Sequence, residues 1–349
     1  MKAIASFALV VALCAVSHAQ STPAANTTLT GVAGIKVGHH TLSERPTGCT
    51  VILVDGDGAA GGVSQRGGAP GTRETDLLDP SNMVDKVNAV VLSGGSAFGL
   101  DAASGTVKWL EEHNIGWDVR IAKVPIVPAA ILFDLAVGGN PKIRPTADCG
   151  YRATAAATSG PVAEGSIGAG AGATVGKSGG GGRSMKAGVG SYSITLANGL
   201  SVGAIVAVNA VGDIIDPDTG RIVAGVRNPD GTFADARTLL RTGQTGPRPR
   251  AGENTTIGLV ATNARLTKTQ ANRMALMADD GFARAIYPSH TVGDGDTVFA
   301  LATGQWTGDV DITQIGALAA DVMARAIVRA ATEATGLPNI PAARDLKKQ

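Results

Sequence analysis

The sequence predicts an α/β protein, and three observations carry the prediction. A buried-type strand over residues 87–92 runs through a tight Gly-Ser turn into a helix over 100–113 with apolar positions at helical spacing. Two β-branched runs, 191–196 and 201–209, flank Ala197-Asn198-Gly199, and Asn-Gly is a strong hairpin signal. A third apolar run starts abruptly at Thr256 and gives way to Thr267-Lys268-Thr269-Gln270, a capping box that opens a long helix.

The chain has 349 residues, enough for a substantial core. Residues 1–19 stand apart from it. Lys2 supplies a positive start, 3–16 is almost wholly apolar, and Ser17-His18-Ala19 offers small residues where a signal peptidase reads. The run is too short for a bilayer, so it predicts a cleaved export signal and a periplasmic or secreted protein without a membrane span. Residues 20–33 read as a polar leader, and 34–349 as a single domain. Charge is balanced, 30 Lys+Arg against 29 Asp+Glu, with no basic stripe interleaved with aromatics, which argues against nucleic acid as a partner. Once the leader is lost, Cys49 and Cys149 remain; they could pair, but two cysteines are no disulfide framework. The five His and the Cys show no metal-ligand spacing, so neither a metal nor another cofactor is expected. The 48 glycines let helices and sheets approach closely, and name no function.

In chain order, 35–40 and 47–54 read as strands of a first sheet. Residues 66–76 form a Gly/Pro loop with two Arg and two acids, read as a salt-bridged turn rather than an active-site wall. After the strand at 87–92, Ser96 occupies a strand–turn–helix setting like a nucleophile elbow, but Phe98 stands where that motif needs Gly. The apolar run 124–135 holds one acid, Asp134, beside Phe133: a cap or a pocket residue. Residues 165–190 are dense in glycine. Ala171 to Ser178 matches a phosphate loop only loosely, with Ala for the first Gly and no helix following, so nucleotide binding is not expected. Lys177 on that loop could still be held against a reacting centre. Asn209 ends the second hairpin strand, where its amide could cap a turn or donate to an oxyanion.

The stretch with most chemical meaning is Asn254-Thr255-Thr256. A Pro/Gly-rich linker, 243–250, meets a core strand there. The tripeptide also fits an ordinary turn or a glycosylation sequon. If the bond before Thr255 breaks, however, the freed amine, with a pKa near ~7.7–8.0, can deprotonate its own hydroxyl. Beyond the helix that begins at Thr267, whose buried face is Ala271, Met274, Ala275, Ala278, Phe282, Ala285 and Ile286, Asp294-Gly295-Asp296 stands at the mouth of a strand at 297–303. That pair suits a calcium loop, a turn or a catalytic acid pair. An Ala-rich amphipathic helix over 312–335 closes the chain.

Taken together, Gly48-Cys49-Thr50, residues 66–76, Leu92-Ser93-Gly94-Gly95-Ser96-Ala97-Phe98-Gly99-Leu100, residues 168–177, Val208-Asn209-Ala210-Val211-Gly212, Asn254-Thr255-Thr256 and Asp294-Gly295-Asp296-Thr297-Val298-Phe299 resemble the L-aminopeptidase/D-esterase family, which includes β-peptidyl aminopeptidases and nylon-oligomer hydrolases. The resemblance implies a four-layer α/β/β/α sandwich akin to N-terminal-nucleophile hydrolases with its own connectivity. It implies self-cleavage at Asn254–Thr255 into an α fragment of about 20–254 and a β fragment of 255–349, which stay associated and commonly assemble as tetramers. By the same resemblance Thr255 is nucleophile and base, Asn209 the oxyanion donor, Asp294 and Asp296 the carboxylates that hold the Thr hydroxyl and ammonium, and Lys177 the active-site lysine. Phe133, Asp134 and Ser96 are expected to touch substrate. Aminopeptidase members carry a glutamate after a Pro-Val-Val-like stretch; Pro125-Ile126-Val127-Pro128-Ala129-Ala130 holds no acid, so either Asp134 substitutes or a free substrate amine is not required. The expected activity is hydrolysis of amide or ester bonds of small peptides. Rival readings are an ω-amino-acid oligomer hydrolase of the same family, a serine hydrolase using Ser96, and a non-catalytic exported binding protein.

Overall fold

A computed structural model describes residues 26–247 and 252–346. The expected export signal and positions 248–251 lie outside the described residues. Two sheets face each other. One runs in the order Ile35–Thr41, Gly48–Val54, Ala89–Ser93, Ala129–Ile131, Thr72–Arg73; the other runs Val189–Thr195, Ser201–Asn209, Thr255–Ala264, Thr297–Trp306, Ala59–Gln65, Lys86–Val87.

Three apolar layers hold these sheets in a stack. Ile52, Val90 and Leu92 of the first sheet meet Ile205, Leu259 and Phe299 of the second in a central core. Val51 and Val91, on the other face of the first sheet, pack against helices Ala102–Glu112 and Ala147–Ala155 through Ala103, Leu110 and Ala153. Val206, Val260 and Ala300, on the other face of the second, pack against helices Lys268–Ala285 and Ile312–Thr332 through Met274, Phe282 and Met323. The result is the four-layer α/β/β/α sandwich that the family resemblance implied.

All ten residues of Thr255–Ala264 are buried. Ile257, Leu259 and Ala261 turn to the central core, while Val260 and Ala264 turn to the helices. A strand covered on both faces has no polar side, which is why it reads as a continuous apolar run rather than an alternation. The helix that follows opens on the capping box read from sequence: Thr267 Oγ1 accepts from Gln270 N, and Gln270 Oε1 accepts from Thr267 N at 2.9 Å. Its buried face is the expected one, with Ala271, Met274, Ala275, Ala278, Phe282 and Ala285 all at 0% exposure. Glycine serves close approach in the outer layers. A Cβ on Gly190 would stand 2.3 Å from Ala330 N of the last helix, so only Gly lets that helix seat on the strand.

Three expectations need correction. Residues 26–33 are not merely a polar leader: Leu29 and Val32 are fully buried, and Leu29 N donates to Ser191 Oγ at 2.7 Å. Two apolar side chains in a short polar stretch sufficed to anchor it. The run at 87–92 is not one strand. Lys86–Val87 joins the second sheet and Ala89–Ser93 the first, with Asn88 crossing between them as its Oδ1 accepts from Ile126 N. The linker, read from the sequence as spanning 216–253, is also more structured than expected, holding strand Ile222–Ala224 and helix Ala236–Thr242. The buried Asp213 carboxylate organises it by accepting from Val226 N and Ala236 N.

Cys49, at the start of a strand, and Cys149, on the helix above it, form a disulfide across a separation of 100 residues. A loop of that length loses much unfolded-state freedom when closed. Cys149→Ala is expected to lower unfolding free energy by about 2–5 kcal/mol in denaturant titrations under oxidising conditions. An unchanged midpoint would show that the bridge adds nothing.

Candidate active site

Strand register assembles the site. Ser201–Asn209 runs antiparallel to Thr255–Ala264 with Asn209 opposite Thr255, and Thr297–Trp306 runs parallel to it with Ile257 opposite Thr297. The end of one strand and the beginnings of two others therefore meet at one sheet edge. That brings Asn209, Asn254-Thr255 and Asp294-Gly295-Asp296 together from positions far apart in the chain. Asn254 makes a parallel bridge with Asp294.

At the junction, the Asn254 carbonyl oxygen accepts the Gly295 N–H at 2.9 Å and also the Thr255 hydroxyl. Thr255 is 1% exposed. A Cβ on Gly295 would lie 2.9 Å from Thr255 Oγ1, so the glycine is what allows the acidic loop to close over the hydroxyl.

Asn209 is fixed by its network. Its Oδ1 accepts from Lys177 Nζ at 2.8 Å and Thr174 N at 3.1 Å, while its Nδ2 donates to Phe133 O at 2.9 Å. The donors around the oxygen leave the amide only one orientation, with a second N–H on Nδ2 to spare. Lys177 also donates to Asn209 O at 3.1 Å. Its loop is held against the strand end: Lys177 N donates to Val211 O, and Gly176, at φ 71°, fits because a Cβ there would strike the Gly225 main chain. Burial pushes the Lys177 ammonium down to about 7, with Asp294, Glu253 and Asp134 pulling the other way.

The two carboxylates differ. Asp296 accepts from Thr256 N at 2.8 Å through Oδ1 and from His290 N and Nδ1, both at 3.0 Å, through Oδ2. Asp294 accepts from Thr291 N at 2.9 Å through Oδ2, and its Oδ1 is buried without a hydrogen-bond partner among the described residues. Burial, then the neighbouring Asp296 charge, pushes Asp294 up to about 6. The 66–76 loop is a wall of the site as well as a turn: Arg66 N and Gly67 N donate to Asp296 O, and Ala69 N donates to Asp294 O. Sequence reading took it as structural because its contribution is made by backbone groups, which residue identity does not display.

A cavity of about 470 Å³ opens beside Asn254, walled by Phe133, Lys177, Glu253 and the apolar Ala136, Val137, Pro247 and Ile340. Thr255 does not line it. A second cavity of about 400 Å³, around Asp57, Lys86 and Trp117, contains none of the expected site residues. Ser96 lines neither; it sits at φ 57° in the turn after Ala89–Ser93, with its N–H on Leu132 O.

Asp134 lies at the cavity, but its carboxylate is consumed. Oδ1 accepts from Arg45 Nη2 at 2.7 Å and Gly95 N at 2.9 Å, Oδ2 accepts from Thr47 Oγ1 at 2.6 Å, and both side chains of the ion pair are fully buried. The expectation that Asp134 receives a substrate amine is therefore corrected: it ties the first sheet to the loop over the cavity. Sequence reasoning missed His290 and Gly295. Gly295 acts through its backbone, and nothing in the spacing of His290 marks it.

The sequence profile described as Peptidase family S58 matches residues 27–341. The chain belongs to that family. An uncharacterized aminopeptidase of Mycobacterium leprae is 44% identical, with 90% of this chain and 92% of the relative covered. A 6-aminohexanoate-oligomer endohydrolase of Kocuria sp. is 32% identical, with 85% of this chain and 84% of the relative covered. Among solved structures, a Burkholderia sp. beta-aminopeptidase superposes with a TM-score of 0.68 at 24% identity, covering 90% of this chain and 88% of that one. The L-aminopeptidase D-Ala-esterase/amidase of Ochrobactrum anthropi, described as a variant of the Ntn hydrolase fold, gives 0.66 at 20%, covering 91% and 90%. This chain is thus a member of a family of aminopeptidases and amide hydrolases with an N-terminal-nucleophile-type fold.

Asp134→Ala strands the Arg45 guanidinium in the interior. Such losses cost about 3–5 kcal/mol, so thermal and denaturant unfolding should both show a marked loss. A variant of wild-type stability whose only defect is a raised KM would instead restore Asp134 as a substrate contact.

Proposed function

We propose that this chain is a self-processing amidohydrolase of the aminopeptidase type, which cuts itself between Asn254 and Thr255 and then uses Thr255 as an N-terminal nucleophile. One observation carries the reading: the Asn254 carbonyl oxygen sits between the Gly295 N–H and the Thr255 hydroxyl. Attack of Thr255 Oγ1 on that carbonyl carbon places negative charge on an oxygen already facing a backbone donor, the arrangement that stabilises a tetrahedral intermediate. Collapse breaks the C–N bond as the proton given up by the hydroxyl passes to the departing nitrogen, and leaves Asn254 esterified to Thr255 Oγ1. Water then hydrolyses the ester, freeing the Asn254 carboxylate and the Thr255 amine.

Cleavage gives the hydroxyl its base. While protonated, Lys177, bonded to the neighbouring Asn209, disfavours a second positive charge and so favours the neutral amine, which can take the hydroxyl proton. The buried Oδ1 of Asp294 supplies an acceptor for the ammonium that forms during attack. The spare N–H of Asn209 suits the substrate oxyanion, a donor typically worth ~2.7–4 kcal/mol in the transition state. Substrate acylates Thr255 through its carbonyl, releases its amine or alcohol, and water regenerates the enzyme. The fragments are expected to stay together, because Thr255–Ala264 is ladder-bonded on both sides in the middle of a sheet. Export, and a tetramer of cut heterodimers, complete the proposal.

Small peptides are the favoured substrates, in keeping with the more similar relatives, which are named aminopeptidases. Hydrolysis of ω-amino-acid oligomers draws support from a different observation. The segment at 125–130 offers no acid and Asp134 is fully engaged, so that wall supplies no counter-charge for a substrate amine.

Thr255→Ala should yield one uncut chain with no turnover of amino-acid p-nitroanilides, while N-terminal sequencing of the smaller wild-type fragment should begin at Thr255. Activity in the Thr255→Ala protein would end the proposal. The pH dependence has a definite sign. Asp294 assists only as the anion, and its raised pKa of about 6 means that it is protonated already in mild acid. Turnover of amino-acid p-nitroanilides by the cut protein should therefore fall as the pH drops below about 6, and Asp294→Asn should turn over slowly at every pH.

A further inference from the structure

We propose that His290 is a positioning residue, clamping Asp296 so that this carboxylate holds the strand end that carries Thr255. The inference rests on Thr255 being the nucleophile. Asp296 bridges two chain segments: Oδ2 receives the main-chain N–H and Nδ1 of His290, and Oδ1 receives the N–H of Thr256, the residue next to the nucleophile. A carboxylate gripped twice on one oxygen cannot rotate, so the other oxygen fixes the position of the Thr256 amide. After cleavage Thr255 is a chain terminus, and that amide is its nearest fixed point.

His290 is built for this task at some local cost. Its φ is 54°, a left-handed conformation uncommon for a histidine, and such strain persists only where surrounding structure holds it. The ring lies at 17° to that of Phe282, with centroids 5.5 Å apart, which sets its plane. Because Nδ1 faces a carboxylate, it carries a proton. The charged groups facing the ring are Asp296 from its own loop and Asp279 from helix Lys268–Ala285, with Arg66 beyond Asp279 at 3.6 Å. Asp279 is 2% exposed, and neither carboxylate oxygen has a hydrogen-bond partner among the described residues. Burial works against the imidazolium, but Asp296 and Asp279 outweigh it and raise the His290 pKa.

The clamp separates the roles of two adjacent acids. Asp296, with three N–H donors, is tied to structure. Asp294, with one donor and one open oxygen, is left to exchange a proton with the Thr255 amine. Without the His290 ring, Asp296 would keep the main-chain N–H but lose the Nδ1 donor, and could turn toward the same amine.

The test compares two substitutions that both tolerate a positive φ. His290→Asn places an amide N–H near the position of Nδ1, whereas His290→Gly has no donor there; His290→Gln, whose amide reaches past the carboxylate, replaces His290→Gly if that protein does not fold. The readouts are the half-time of precursor cleavage on gels and, in the cut protein, kcat and KM for L-alanine p-nitroanilide and a linear 6-aminohexanoate dimer. Misplacement of a reacting group by 1 Å can cost on the order of a hundredfold. His290→Gly should slow cleavage and kcat by about that factor with KM little changed, and His290→Asn should remain within about tenfold of wild type. Equal rates in all three proteins, or equal slowing by Asn and Gly, would overturn the positioning role while leaving Thr255 as nucleophile. Wild-type protein that is active with residues 254 and 255 still joined would remove both.

Discussion

The site depends on one register: Asn209 opposite Thr255, with Thr297 beginning beside Ile257. Side chains alternate along a strand, so a slip of one residue would turn Ile257, Leu259 and Ala261 out of the central core and drive Thr256 into the position of Thr255. The apolar pattern that packs the sandwich is therefore the same feature that sets Thr255 against Asn209 and the acidic loop. Stability and chemistry are specified by one set of residues. This is why the middle strand is buried from end to end, with polar groups only at its mouth and its far end.

Around that register, the interior tolerates charge only where hydrogen bonds surround it. Arg45–Asp134 is fully buried and densely bonded, with Thr47, Gly95 and the Val137 carbonyl completing the set. Lys186, also fully buried, donates to the Gly170 and Ala187 carbonyls. At the site the satisfaction is deliberately incomplete. Asp294 keeps an oxygen without a hydrogen-bond partner among the described residues, and Lys177, bonded to Asn209, has a depressed pKa. Buried titratable groups with shifted proton affinities gathered at one strand end are what make this place a candidate for proton exchange.

The proposed nucleophile is not exposed in the intact chain. Thr255 is enclosed, and Glu253, Asn254 and Pro247 of the preceding segment form part of the cavity wall. In the proposed reaction, breaking the 254–255 bond both creates the base and frees the wall in front of it. A single peptide bond then separates an enclosed, unactivated hydroxyl from a working nucleophile, without rearrangement of the sheets.

Much of this was legible in sequence, because it rests on local patterns: the Asn-Gly hairpin, the Thr267 capping box, the helix face from Ala271 to Ala285, and the polar-to-apolar step at Thr255. Asn209, Lys177, Asp294 and Asp296 stood out at glycine turns or strand boundaries and took their roles from the family resemblance, while strand register is what brings them together. Asp134 misled, since an acid in an apolar run looks the same whether it awaits a ligand or is already matched by an arginine 89 residues away. Backbone donors such as Gly295 N–H, the crossing of Asn88 between sheets, the burial of Leu29 and the grip of His290 on Asp296 were decided only by tertiary structure. Each depends on contacts between segments whose separation in sequence carries no signal, and burial, which sets proton affinities, exists only once the layers have closed.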